Sequence, residues 1–168
     1  YLYFLNSGDY LFKHTTLSLV FKETITDHEI IYGDFCLEKN NIRTLKGQPN
    51  RLTLSTFFYT TITQQATFIN NSLFLEFGLY SEEYKIVSDW KFFLDVFSFK
   101  TVDHLHIALP IAVFTEGGIS NNPDFYELHL SERKTVFEKI NLPQPVKIEL
   151  FRLTKLEEFK RDIEHSRL

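Results

Sequence analysis

The opening stretch Tyr1-Leu2-Tyr3-Phe4-Leu5-Asn6-Ser7-Gly8-Asp9 decides how the rest of the chain is read. Five apolar, β-prone residues run straight into four turn formers, the last of them a carboxylate. The pattern predicts a buried strand over residues 1–5 that delivers Asp9 to its C-terminal end. In open α/β sheets, ligands bind outside such strand ends. A carboxylate there can hold a hard divalent cation, which in turn neutralises phosphates. The same four residues also read as a plain turn, with Asp9 capping a following helix. No Met occurs among the 168 residues, and the chain opens inside a strand. Both features read as a processed chain or a piece of a longer one.

Outward from Asp9, the periodicity predicts a helix over residues 10–23, where Leu11, Thr15, Leu19 and Val20 can share a face. Residues 29–32 read as a strand that stops at Gly33-Asp34. Asn40-Asn41 is a turn signal, and residues 42–45 complete a hairpin. Residues 46–50 read as a loop, and residues 52–59 fit helix or strand. A short strand follows over 66–69. Asn70 or Asn71 then caps a helical turn over 72–77, closed by Gly78. Residues 88–99 form the clearest helix, with Trp90, Phe93 and Phe97 as its apolar stripe. Strands are expected over 101–105 and 107–114, then a break at Gly117-Gly118. A helix is expected from Asn121-Asn122-Pro123 to about Asn141, a hinge over 142–145, and a last helix over 146–168. Strands alternating with helices give an α/β class: a mixed sheet flanked by helices.

Composition narrows the function. The formal net charge is -4, without the basic excess of a general nucleic-acid binder. No apolar run approaches the roughly 18 to 20 residues that span a bilayer. The single cysteine, Cys36, rules out an internal disulfide and a Cys-rich zinc site. No general base lies near it in sequence, so it reads as a small strand residue rather than a nucleophile. His104 and His106 are spaced as on one strand face, with no third ligand nearby, and read as structural or surface residues. The last helix carries nearly balanced charge, which argues for packing against protein over strong attraction to anionic lipid.

Three segments remain that can carry chemistry. Asp9 is the first. The second is Ser88-Asp89-Trp90, where Asp89 stands beside an apolar stripe. A carboxylate there is costly unless it is capped, paired or used. Desolvation would move its pKa toward that of a working base, while the plain reading is a helix cap. The third is Glu116-Gly117-Gly118-Ile119-Ser120, where paired glycines permit a sharp bend or a close approach to a ligand. Ser131-Glu132-Arg133-Lys134 reads as a solvated helix face from which Arg133 or Lys134 can reach a phosphate.

Taken in order, these segments resemble the family 2 glycosyltransferases, in the branch that adds sugars to bacterial surface polysaccharides. The resemblance rests on residues 3–9, 30–34, 65–69, Phe74, residues 78–80, 84–90 and 117–120. It implies a GT-A fold, a nucleotide-sugar donor and a divalent metal (Mn²⁺ or Mg²⁺). It places Asp9 at the metal and Asn6, Ser7 and Gly8 at the donor. Asp89 matches the general base of inverting members, and Gln65, Trp90, Gly117 and Gly118 fall on the acceptor side. Asn6 stands where the family's first metal-segment Asp would be, and Gln64 replaces a frequent His. Residues 1–122 would be the second half of a catalytic domain and residues 123–168 a helical extension. The family's first half, which grips the nucleotide base, has no counterpart in residues 1–168. The implied partners are the donor and a saccharide or lipid-linked saccharide acceptor. A cytoplasmic place, peripheral to the membrane, and a homo-oligomer fit this reading. A binding or scaffold protein that keeps the fold without donor binding is the alternative. A metal-using nucleotidyltransferase is a third reading, but the Ser-Asp-Trp and Gly-Gly-Ile-Ser segments have no place in it.

Overall fold

The computed structural model describes residues 1–23, 28–115, 117–118, 122–148 and 152. The chain divides into two compact units, Tyr1–Glu138 and Lys139–Leu168. The first holds a six-stranded sheet in the order β1-β5-β3-β6-β2, with β4 added to β3. The strands are β1 (Leu2–Tyr3), β2 (Tyr10–Leu11), β3 (Ile30–Lys39), β4 (Ile42–Lys46), β5 (Thr67–Ile69) and β6 (His104–Thr115). β3 and β6 run parallel and the other pairs antiparallel, so the sheet is mixed, as expected.

β3 is the spine. Ile30, Ile31 and Tyr32 are fully buried, as befits a strand covered on both faces. Ile31 packs with Phe68, Ile111 and Val20 of α1 (Thr16–Glu23). Tyr32, pointing the other way, lies 6.3 Å from His104, whose ring is 6.0 Å from Phe97 of α4 (Ser88–Phe99). α1 and α4 thus flank the sheet. α4 joins α2 (Leu54–Tyr59) through Phe57, stacked on Phe93 at 5.7 Å, and α3 (Asn71–Phe77) through Phe74, stacked on Phe92 at 4.5 Å.

Several sequence expectations need correction. The strand expected to end at Gly33-Asp34 continues to Lys39, through a register shift against β6 at those residues. Gly33 permits this because any Cβ there would meet the Leu109 carbonyl at 2.7 Å and the Ile107 carbonyl at 2.8 Å. The Asn40-Asn41 turn that follows has φ of 51° and 62°, the left-handed pair of a tight hairpin. The helix expected over 10–23 starts only at Thr16. Tyr10 and Leu11 pair with Val113 and Ala112 instead, so sheet pairing overrides a helical pattern. The strand over residues 1–5 is not buried. It pairs only at Leu2 and Tyr3, on the sheet edge, and Leu2 is 37% exposed. The two strands expected over 101–114 form one, since His104 and His106 stay in the ladder and bond outward to the Leu52 N–H and to Asp34.

Other expectations match. α4 has the predicted bounds, and the Asn70 side chain caps α3 with a 3.0 Å bond from the Ser72 N–H. Residues 52–59, ambiguous in sequence, become α2. The helix after Pro123 is a short 3₁₀ turn, Pro123–Phe125, leading into α5 (Tyr126–Lys139). All but its last residue belong to the first unit, which therefore extends past residue 122. In the second unit residues 144–148 are helical, where a hinge was expected over 142–145. The expected stripe of Leu153, Leu156, Phe159 and Ile163 lies outside the described residues, as do Glu116, Ile119, Ser120 and Asn121.

Candidate functional site

One open cleft of about 1060 Å³ gathers residues from several parts of the first unit. The β1–β2 connection supplies Asn6, Ser7, Gly8 and Asp9. The segment before β5 supplies Gln64 and Gln65, and the start of α4 supplies Ser88, Asp89 and Trp90. Gly117 and Gly118 follow the end of β6, and α5 contributes His129 and Arg133. Every residue that the sequence singles out for metal, donor, base or acceptor lines this cleft.

Asp9 is held from both sides. Gln65 Nε2 donates to Oδ2 at 2.7 Å, and the Thr115 N–H donates to Oδ1 at 2.9 Å. Thr115 Oγ also donates to the Gly8 carbonyl at 2.8 Å, so the end of β6 fastens the whole turn. Gly8 has φ of 93°, a left-handed conformation that suits glycine. Gln65 is itself fixed, because its carbonyl accepts the Tyr3 hydroxyl at 2.8 Å. Burial and the nearby Asp9 charge push the Tyr3 pKa up to about 12. Among the described residues no three His, Cys, Asp or Glu side chains form a group that could hold a metal. Asp9 is a single hard carboxylate.

Asp89 has different surroundings. The Trp90 N–H donates to Oδ1 at 2.7 Å. Water reaches the residue through the cleft, yet protein encloses the carboxyl. That desolvation raises its pKa above the ordinary carboxylate value, against the opposing pull of the backbone N–H groups of Trp90 and Asp89 itself. The cap reading does not hold: the N-cap of α4 is Val87, with no side-chain bond, and the Ser88 hydroxyl donates to the Ser81 carbonyl instead. Trp90 is 3% exposed, and its indole N–H is committed to the Phe57 carbonyl at 2.7 Å. What it offers the cleft is ring surface. Gly117 has φ of 117°, which lets β6 end in a sharp bend at the cleft wall.

Three further residues matter here. Glu132, read as solvated, is 9% exposed and accepts three backbone N–H groups: Lys85 at 2.8 Å, Ile86 at 2.9 Å and Val87 at 3.2 Å. It fixes the turn that carries Ser88 and Asp89. The one signal in the sequence was Val136, four residues on and fully buried, which marks the inward face of α5. Tyr80 packs against Phe4, Phe74 and Phe92, and its buried hydroxyl finds no partner of hydrogen-bonding geometry, although Gln64 lies close. Arg133 faces the cleft, whereas Lys134 points to solvent beside Glu138, so the two cations that the sequence left equivalent are distinct.

No family model matches the chain, and no solved structure matches it. Among known proteins, it is similar to proteins of Mycobacterium bovis and Mycobacterium tuberculosis, each named "PGL/p-HBAD biosynthesis glycosyltransferase". Each is 31% identical over 126 residues, covering 72% of this chain and 47% of the relative. The chain spans about half the length of the curated relatives it matches. Its cleft, with two carboxylates in contrasting environments, thus belongs to a chain similar to mycobacterial glycosyltransferases.

Proposed function

We propose that the protein to which this chain belongs is a glycosyltransferase of the family 2, GT-A type. It moves a sugar from a nucleotide-sugar donor to a hydroxyl of a saccharide or lipid-linked saccharide acceptor in cell-surface synthesis. The observation that carries this reading is the meeting of Asp9 and Asp89, from distant parts of the chain, on one cleft. The similarity to the mycobacterial glycosyltransferases supports it.

In this reading Asp89 is the general base. Its carboxylate takes the proton of the acceptor hydroxyl while that oxygen forms a bond to the anomeric carbon. The bond from that carbon to the donor diphosphate breaks, the nucleoside diphosphate departs, and the configuration inverts. A base whose pKa is raised by desolvation holds a proton better than an ordinary carboxylate at neutral pH. Asn6, Ser7 and Gly8 line the donor side. Gln65, Trp90, Gly117 and Gly118 line the acceptor side.

Asp9 offers a divalent cation one carboxylate. Magnesium is commonly held by one or two protein carboxylates together with substrate phosphates. A single carboxylate facing the cleft suits a cation that arrives with the donor. When bound, it would neutralise charge on the departing diphosphate. Asp9 then keeps its place through Gln65 and Thr115.

Among the described residues no helix is long and apolar enough to cross a membrane. A cytoplasmic enzyme, peripheral to the membrane and able to self-associate, belongs to the same proposal. The test uses the full-length protein with a panel of nucleotide sugars and Mn²⁺ or Mg²⁺. Transfer or hydrolysis is expected, and Asp89→Asn should remove it without unfolding the protein. Unchanged turnover in Asp89→Asn rules out this base. No turnover with any donor favours the non-catalytic scaffold.

A further inference from the structure

α5 places a cation, Arg133, against the cleft. The Arg133 guanidinium lies 4.3 Å from the Trp90 ring centre, stacked on its face. Nη2 donates to the Phe58 carbonyl at 3.3 Å. No carboxylate among the described residues pairs with it. Burial shifts its pKa downward. A half-buried charge without a partner is costly. Packing against Trp90 could be served by an apolar side chain, which leaves the guanidinium itself unexplained.

His129 lies one turn earlier on the same face of α5. Burial holds its pKa down first, and the Arg133 charge second, against an opposing effect of Glu132. Lys85, also on the cleft wall, lies 5.0 Å over the Phe125 ring and forms no ion pair among the described residues. On this wall Arg133 and Lys85 are thus two cations without an ion pair among the described residues. A guanidinium held flat by a ring presents its remaining N–H donors as a fork, which matches the paired oxygens of a phosphate.

We propose that Arg133, stacked on Trp90 and accompanied by His129, is an oxyanion subsite that takes a phosphate-type group. The geometry stands by itself; the source of the phosphate rests on the glycosyltransferase reading. It is either the diphosphate of the donor or a phosphate carried by a lipid-linked acceptor. Both offer the same chemistry to the fork.

The experiment is calorimetric titration of the full-length protein with three probes: inorganic pyrophosphate, a nucleoside diphosphate and an alkyl phosphate monoester. Arg133→Gln is expected to weaken at least one of them roughly ten- to a hundredfold, the range for a charge-assisted hydrogen bond. Arg133→Lys, which keeps the charge and loses the fork, should fall between. Lys134→Gln should bind like the unaltered protein. Weakening confined to pyrophosphate and the nucleoside diphosphate assigns the subsite to the donor, and weakening confined to the alkyl phosphate assigns it to the acceptor. Equal binding by Arg133→Gln in all three titrations overturns the subsite, as does an unaltered protein that binds none of them. Arg133-dependent binding without sugar transfer would leave the subsite standing and remove the transferase reading instead.

Discussion

Asp9 accepts an N–H on each of its oxygens, one from the Gln65 side chain and one from the Thr115 backbone. Asp89 accepts from backbone at the start of its own helix and is otherwise enclosed by protein. The first carboxylate is held by two N–H donors, whereas burial penalises the ionised form of the second. One cleft thus holds two Asp residues in contrasting surroundings, to which the reading proposed above gives different tasks. Environment, not residue type, separates them.

The strongest way to break this contrast is Asp89→Asn. Turnover by the full-length protein should fall roughly 10²- to 10⁴-fold, the usual weight of a general base. Stability should move the other way. Because the folded pKa of Asp89 is raised, its ionised form opposes folding, and this penalty grows as pH rises from the unfolded value toward the folded one. Asp89→Asn should therefore melt higher than the unaltered protein at pH 7. The gain should vanish below about pH 4, where Asp89 is protonated in both states. Equal melting temperatures at pH 7 would mean that Asp89 is solvated like any surface acid.

Asp9→Ala tests the other side of the contrast. It leaves the Gln65 amide and the Thr115 N–H without their acceptor. A loss of about 1–3 kcal/mol is expected in denaturant titration, opposite in sign to Asp89→Asn. Glu132→Gln sharpens the Asp89 side. It places an amide N–H against backbone donors, and a loss of about 1–2 kcal/mol should follow. Hydrogen exchange at the Lys85, Ile86 and Val87 amides should accelerate. Unaltered protection there would show that Glu132 does not hold the turn. The smallest effect belongs to Thr115→Val, which removes the hydroxyl bond to Gly8 but keeps the N–H bond to Asp9. A stability change of about 0.5 kcal/mol is expected. A change as large as that of Asp9→Ala would shift weight from the carboxylate to the hydroxyl.

What the sequence shows clearly is local. The bounds of α4 follow from the Trp90, Phe93 and Phe97 stripe, and the start and end of α3 from Asn70 and Gly78. Such signals lie within a few residues of what they specify. The misses depend on partners far along the chain. Tyr10 and Leu11 look helical until Ala112 and Val113 are beside them. Gly33 looks like a strand end until the Leu109 and Ile107 carbonyls close over it. Glu132 reads as a solvated charge because the three N–H groups it accepts lie more than forty residues away. Asp9, Asp89 and the paired glycines stood out by residue chemistry, and the rest of the cleft set was legible only through the resemblance to the family 2 glycosyltransferases. Their environments, which separate Asp9 from Asp89, were not.

Neighbouring residues of α5 face two different duties, Glu132 holding the turn before Asp89 and Arg133 lying over Trp90. Adding or deleting one residue upstream in this helix would rotate both by about 100° and carry them off together. Length variation should therefore be tolerated at the Asn40-Asn41 turn, whose two residues line no part of the cleft, and rejected between Tyr126 and Glu132. For anyone engineering this protein, α5 is a place to exchange side chains and never to change spacing.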